Sequence, residues 1–276
     1  MKDLKDKVVV ITGGATGIGF ALAKAFGAEG AKIVIGEPRE ERLQEAVAAL
    51  EELGIEAAYT ICDVTDPAQV EALADFAWDR FGQVDVLINN AGVGSKRARA
   101  VDLPLEDLHK VFDVNFFGVW HGATIFAKRM EAQGTPAAIY NVGSENSFFT
   151  AAPGVMAAYV ATKHAVLGFT EAFREETPDF IQVGTIFPGF VKSELTAGAA
   201  GELAMDTDVF ASTVLKQFKA GEHFIVSHAY NIERIRPRFQ QLEEAFAAYA
   251  PRYDGDEEYD IRNLMARLSR GSRPDR

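Results

Sequence analysis

The chain has 276 residues, 48% of them apolar, enough to bury the core of one large α/β domain or two small ones. A formal charge of −12 argues against a nucleic-acid or anionic-membrane partner and leaves a small molecule as the expected one. Cys62 is the sole cysteine and the five histidines show no paired ligand spacing, so neither a disulfide framework nor a protein-bound metal is expected, and a reducing, cytoplasmic compartment is.

Near the start, Asp3 and Asp6 interleave the lysines and glycines interrupt the apolar residues, which reads as a buried first strand and not as a signal peptide. No run approaches the roughly 18 apolar residues of a membrane span. Short apolar runs at 8–12, 31–36, 55–61, 84–89, 137–142, 181–187 and 223–227 predict seven strands. Amphipathic stretches at 17–30, 40–53, 67–81, 105–132, 157–176 and 206–220 predict the helices between them, the third opened by the Asp66-Pro67 cap.

Strict alternation of strand and helix implies a single α/β domain, a doubly wound parallel sheet of about seven strands with helices on both faces. Ile232, Ile235, Phe239, Leu242, Phe246 and Tyr249 fall at helical spacing and predict an added C-terminal helix, packing on the body or on a neighbouring subunit. The domain is expected to run over 1–250, with a charged tail at 251–276 whose last six residues are disordered. The Gly/Ala-rich 194–205 fits neither element type and is expected to act as a lid that orders on ligand binding.

The stretch "ITGGATGIGFALAKAF" at 11–26 hands the first strand to the first helix. Free N–H groups and the helix dipole make an anion site there, provided no side chain blocks the approach. Gly13, Gly17 and Gly19, with Thr16 and Ile18 between them, suit a dinucleotide pyrophosphate, although the spacing differs from G-x-G-x-x-G. Glu37, at the tip of the second strand, suits the adenosine ribose hydroxyls and repels a 2′-phosphate, so NAD is expected over NADP. Arg39, two residues on, keeps NADP open.

Tyr159 and Lys163 stand four apart on one helix face, where an ammonium favours the phenolate and so prepares an acid/base. Such a pair also occurs on ordinary helices. The ordered set is more specific: "TGGATGIG", Asp63-Val64, "NNAG" at 89–92, Asn115 in "VNFFG", "NVGS" ending at Ser144, "YVATK" at 159–163 and "PGFVKS" at 188–193. This set resembles the short-chain dehydrogenase/reductase family, in its compact single-domain branch, over about residues 5–228.

The resemblance implies Tyr159 as general acid/base, and Lys163 on the nicotinamide ribose, lowering the tyrosine's pKa. It implies Ser144 on the substrate oxygen and Asn115 placing a water that relays protons through Lys163. It also puts Asp63 and Val64 on the adenine and Asn90 on the adenosine side. Pro188, Gly189, Val191 and Ser193 would meet the nicotinamide carboxamide. Ser144 precedes Tyr159 by 15 residues, about two more than is usual, which makes Ser147 the rival serine; "NVGS" at a strand end favours Ser144. His164 lies a third of a turn from Lys163 and is expected to be an ordinary histidine.

Phe148, Phe149, Ala151, Pro153, Met156, Phe190, Leu195 and Tyr230 are expected to wall an apolar substrate pocket suited to an aryl or bulky secondary alcohol or ketone. The ending "EHFIVSHAYNIERIRPRFQQLEEAF" resembles a subgroup that includes bacterial dehydrogenases of benzylic carbinols in lignin-type dimers. The expected function is hydride transfer between NAD and such an alcohol. Alternatives are an NADP-dependent ketone reductase of acyl-carrier or steroid type, and a non-catalytic cofactor-binding protein. The family implies a homodimer or homotetramer, and Phe117, Trp120, Thr124 and Phe126 are the expected contact residues.

Overall fold

The computed structural model describes residues 1–152, 154–196, 198 and 201–271. Seven parallel strands form one sheet: β1 (Val8–Thr12), β2 (Lys32–Glu37), β3 (Ala57–Ile61), β4 (Val86–Asn89), β5 (Ala137–Val142), β6 (Ile181–Phe187) and β7 (Phe224–Val226). Their order is β3-β2-β1-β4-β5-β6-β7, so the chain reverses direction across the sheet between β1 and β4. Ligands of open α/β sheets bind beyond the strand C-termini at such a switch point.

Alternation along each strand supplies both faces with apolar side chains. Val9 and Ile11 join one layer with Leu22 and Phe26 of α1 (Gly17–Ala28), Leu43 and Leu50 of α2 (Glu40–Glu52), and Phe210 and Phe218 of α7 (Thr207–Ala220). Val8 and Val10 join the other with Val70 and Leu73 of α3 (Pro67–Phe81) and Phe126 and Met130 of α5 (Gly118–Gln133). Each such buried side chain contributes roughly 1.5–3 kcal/mol, which is why the strands read as near-continuous apolar runs.

The Asp66 side chain accepts from Ala68 N at 2.9 Å and starts α3 where the sequence predicts it. The predicted helix at 105–132 is instead three pieces: α4 (Leu105–Phe112), a π-helical turn over Asp113–Phe117, and α5. Its apolar spacing runs on through the junction, so periodicity gave no sign of the wider turn. Phe126, expected at a subunit contact, is fully buried in the core, whereas Phe117 and Trp120 are exposed. Trp120 stacks on Phe169 at 4.5 Å, and Phe169 on Phe173 at 5.3 Å; both phenylalanines belong to α6 (Ala157–Glu176).

The chain divides into two compact units, Met1–Asn231 and Ile232–Arg276. The second holds most of α8 (Asn231–Tyr249), which buries none of its residues, and α9 (Ile261–Gly271). No element was expected at 261–271, within the tail read as charged, yet Ile261, Leu264, Met265 and Leu268 keep an i, i+3, i+4, i+7 repeat. Of the six residues expected to be disordered, 272–276 lie outside the described residues. No described helix is long and apolar enough to cross a membrane.

Candidate active site

A cleft of about 450 Å³ opens at the C-terminal ends of the strands, within the range of small-molecule sites. It gathers residues from eight separate stretches of sequence. Gly13, Thr16, Gly17, Ile18 and Gly19 line one wall, with Glu37, Asp63, Val64 and Asn90 beside them. Ser144, Tyr159, Lys163, Pro188, Gly189, Val191 and Ser193 line the other. Among the residues proposed from sequence, Asn115 alone lies behind the surface.

The glycine turn packs tightly against the end of β4. A Cβ on Gly19 would lie 2.3 Å from Gly13 O and 2.5 Å from Asn90 Nδ2, so the turn closes on the helix only without a side chain there. Gly17 sits at φ +53°, a left-handed conformation that other residues adopt with strain. Thr16 is the N-cap of α1 but makes no side-chain capping bond, which leaves the first N–H groups of the helix facing the cleft.

Asn90 acts first as a brace. Its Nδ2 donates to Thr12 O at 3.0 Å and Gly13 O at 2.9 Å, tying the end of β4 to the glycine turn. Asp63 closes its own turn by accepting from Thr65 N and Oγ1. Glu37 is buried at the tip of β2 and accepts from Arg39 Nε, while Arg39 also pairs with Glu194 at 3.0 Å. These two carboxylates hold the Arg39 guanidinium above its ordinary range, through hydrogen bonds and charge. The arginine that kept a 2′-phosphate open is therefore occupied by two anions, a pairing across 155 residues that the sequence did not signal.

On the other wall, Lys163 is buried and its Nζ donates to Val142 O at 2.8 Å. Burial lowers its pKa to about 8. Nζ lies 5.7 Å from the centre of the Tyr159 ring. Desolvation raises the pKa of the Tyr159 phenol, the Ser144 side chain opposes that, and the Glu145 charge adds to the rise. The downward influence comes from Ser144.

The rival serine is engaged elsewhere. Ser147 Oγ is buried, donates to Lys163 O at 2.7 Å and accepts from Ser144 N at 3.3 Å, whereas Ser144 lines the cleft. Asn115 sits in the π-helical turn with both ends of its amide on Val93, accepting from the backbone N at 2.7 Å and donating to O at 2.9 Å. Its side chain thus fixes the segment leaving β4. His164 bonds Val160 O one helical turn back.

Of the expected apolar wall, Leu195 lines the described cleft. Phe148 packs on Phe187 at 4.6 Å, and Tyr230 donates from its hydroxyl to Glu145 Oε2 at 2.6 Å. Pro153 lies outside the described residues, as do 197, 199 and 200 of the expected lid. The base of that segment is closed by Met205, which bonds Phe190 O at 2.9 Å and accepts from Lys192 N at 2.9 Å.

A family model described as short chain dehydrogenase matches residues 7–203. The 1-deoxy-11-beta-hydroxypentalenate dehydrogenase of Streptomyces avermitilis is 32% identical over 249 residues, 87% of this chain and 91% of its own. The C alpha-dehydrogenase of Sphingobium sp. strain SYK-6 is 36% identical over 196 residues, 71% of this chain and 64% of that one, and bears out the subgroup resemblance. A crystal structure of a short-chain dehydrogenase/reductase from Burkholderia phymatum in complex with NAD superimposes with a TM-score of 0.82 at 29% identity, covering 89% of this chain and 97% of that one.

Proposed function

The chain belongs to the short-chain dehydrogenase/reductase family, and on that premise we propose that it transfers a hydride between NAD and a hydrophobic secondary alcohol or its ketone, with Tyr159 as general acid/base. As a member it is an oxidoreductase of CH–OH groups and their ketones. The observation that carries the finer reading is the convergence of Ser144, Tyr159 and Lys163 with the glycine turn in one cleft.

The residues present fit a dinucleotide. The open N-terminus of α1 and the side-chain-free turn suit its pyrophosphate, and Glu37 suits ribose hydroxyls. Glu37 and Glu194 around Arg39 favour NAD, since a 2′-phosphate would have to displace one carboxylate and approach the other. Asp63 and Val64 flank the adenine side, and Pro188–Val191 with Ser193 the carboxamide side. Held there, a nicotinamide would supply a hydride acceptor at its C4.

The chain's own part is to hold the substrate oxygen and move its proton. Tyr159 Oη takes the alcohol proton as the carbon is oxidised, and returns one in the reverse direction. Ser144 Oγ donates a hydrogen bond to the same oxygen and steadies its charge. Lys163, anchored on Val142 O, holds an ammonium near the ring that favours the phenolate. Asn115 keeps Val93 in place beside them. The exposed Phe117 and Trp120, with Phe169 and Phe173, support a homodimer or homotetramer. The Streptomyces and Sphingobium relatives, dehydrogenases by name, support a bulky alcohol as substrate.

The test is NADH formation, followed by its near-ultraviolet absorbance, with NAD and then NADP against simple secondary alcohols, benzylic carbinols and hydroxysteroids. Turnover with NAD and a bulky alcohol is expected. Tyr159→Phe should lower kcat by roughly 10²–10⁴-fold with NAD affinity nearly intact. Near-normal turnover in that variant removes the proposed acid/base, and activity with NADP alone overturns the reading of Glu37.

A further inference from the structure

Asn146 directs two donors at one oxygen. Its backbone N–H lies 3.1 Å from Ser144 Oγ and its side-chain Nδ2 lies 3.3 Å from the same atom. The amide is held this way round because its Oδ1 accepts from Ala151 N at 2.9 Å, a donor that the NH₂ end could not face. Both Ser144 and Asn146 are buried, with 6% of each surface exposed.

A serine hydroxyl has two lone pairs and one proton. With Asn146 donating to both lone pairs, the proton is all that Ser144 Oγ has left to offer, and Tyr159 lines the same cleft. The serine backbone is fixed as well: Ser144 N donates to Ser147 Oγ, and Ser147 is bound to Lys163 O on the helix that carries Tyr159.

We infer that Asn146 is a positioning residue that locks the Ser144 hydroxyl as a hydrogen-bond donor towards the reacting oxygen. This rests on the proposed roles of Ser144 and Tyr159. Without the side-chain donor, one lone pair of Ser144 Oγ is released and can accept from Tyr159 or from the alcohol, which stabilises the protonated forms of both and opposes proton transfer. The charged groups near Tyr159 are Lys163 and Glu145, and neither is altered by removing the Asn146 amide.

The test is a double-mutant cycle of Asn146→Ala and Ser144→Ala, read in two ways. One is kcat with 1-phenylethanol and NAD; the other is titration of Tyr159 in the protein alone, from the tyrosinate absorbance difference between each variant and the same variant carrying Tyr159→Phe. Asn146→Ala should lower kcat about tenfold and move the Tyr159 titration to higher pH. Ser144→Ala should cost roughly 10²-fold, as loss of an oxyanion donor does. In the Ser144→Ala background, adding Asn146→Ala should change either quantity by less than about twofold, because the residue acts only through the serine.

Asn146→Asp is the second variant, for the case in which Asn146→Ala fails to fold. It keeps an acceptor for Ala151 N, yet offers Ser144 a carboxylate oxygen that draws its proton the wrong way, so it should be at least as damaging to kcat. Losses that persist undiminished in the Ser144→Ala background, or an unshifted Tyr159 titration, overturn the positioning role and leave the site assignment standing. A Ser144→Ala enzyme with full activity and an unshifted Tyr159 overturns both.

Discussion

At one end of the cleft the surface is main chain from the turn between β1 and α1; at the other it is a set of hydrogen-bonded side chains between Ser144 and Lys163. The first end depends on atoms that are absent, since Gly19 works by leaving Gly13 O and Asn90 Nδ2 undisturbed. The second depends on atoms that are present and correctly oriented, such as the Asn146 amide behind Ser144. A backbone site should therefore fail all at once when a side chain is added. A side-chain network should fail by degrees, and its damage should show in pH profiles.

The sharpest way to break the comparison is Gly19→Ala. Its Cβ would fall 2.3 Å from a carbonyl oxygen, a distance that only backbone movement can relieve. Overpacking of this kind costs about 1–3 kcal/mol, a fall in Tm of roughly 2–12 °C for a domain of this size. NAD affinity should drop by more than about tenfold, measured by titration of the nucleotide into the protein. The activity left at saturating NAD should keep the wild-type pH profile, since Ser144, Tyr159 and Lys163 are untouched. An altered profile would mean that the two ends are not independent.

A smaller effect is expected at the rim of the nucleotide end. Glu37→Ala removes the buried carboxylate and releases Arg39 from one of its two anions. The ratio of kcat/KM for NAD over NADP should fall by about tenfold or more, equivalent to ~1.4 kcal/mol. An unchanged ratio would move cofactor discrimination away from Glu37.

What the sequence made legible divides along the same line. The strands at 8–12, 137–142 and 181–187, the helices at 67–81 and 157–176, the glycine turn and the Tyr159–Lys163 spacing all follow from local rules of burial period, capping and helix geometry. The π-helical turn at Asp113–Phe117 was hidden because one extra residue in a turn leaves the apolar pattern on both sides intact. The pairing of Arg39 with Glu194 and the grip of Asn146 on Ser144 were hidden for another reason. Each depends on a fold-dependent meeting of polar groups, and a polar residue in a loop reads the same whether it is solvated or buried. The i, i+4 spacing gave the proximity of Lys163 to Tyr159 but not the burial of the phenol, whose desolvation raises its pKa.

The finest test lies within the side-chain end. Glu145 is buried beside Ser144, and its charge favours the protonated form of Tyr159. Alcohol oxidation needs the phenolate, so kcat/KM should rise with pH as Tyr159 ionises. Glu145→Gln removes that charge while keeping an oxygen that can accept from the Tyr230 hydroxyl. Loss of a nearby negative charge lowers the phenol's pKa, so the acidic limb of the oxidation profile should move to lower pH, with NAD affinity and Tm little changed. A limb that stays in place, or moves upward, would show that Glu145 acts on the site by packing and its bond to Tyr230, and not by charge. A downward shift would show the network failing by degrees, through the ionisation of one group, where the glycine turn fails outright.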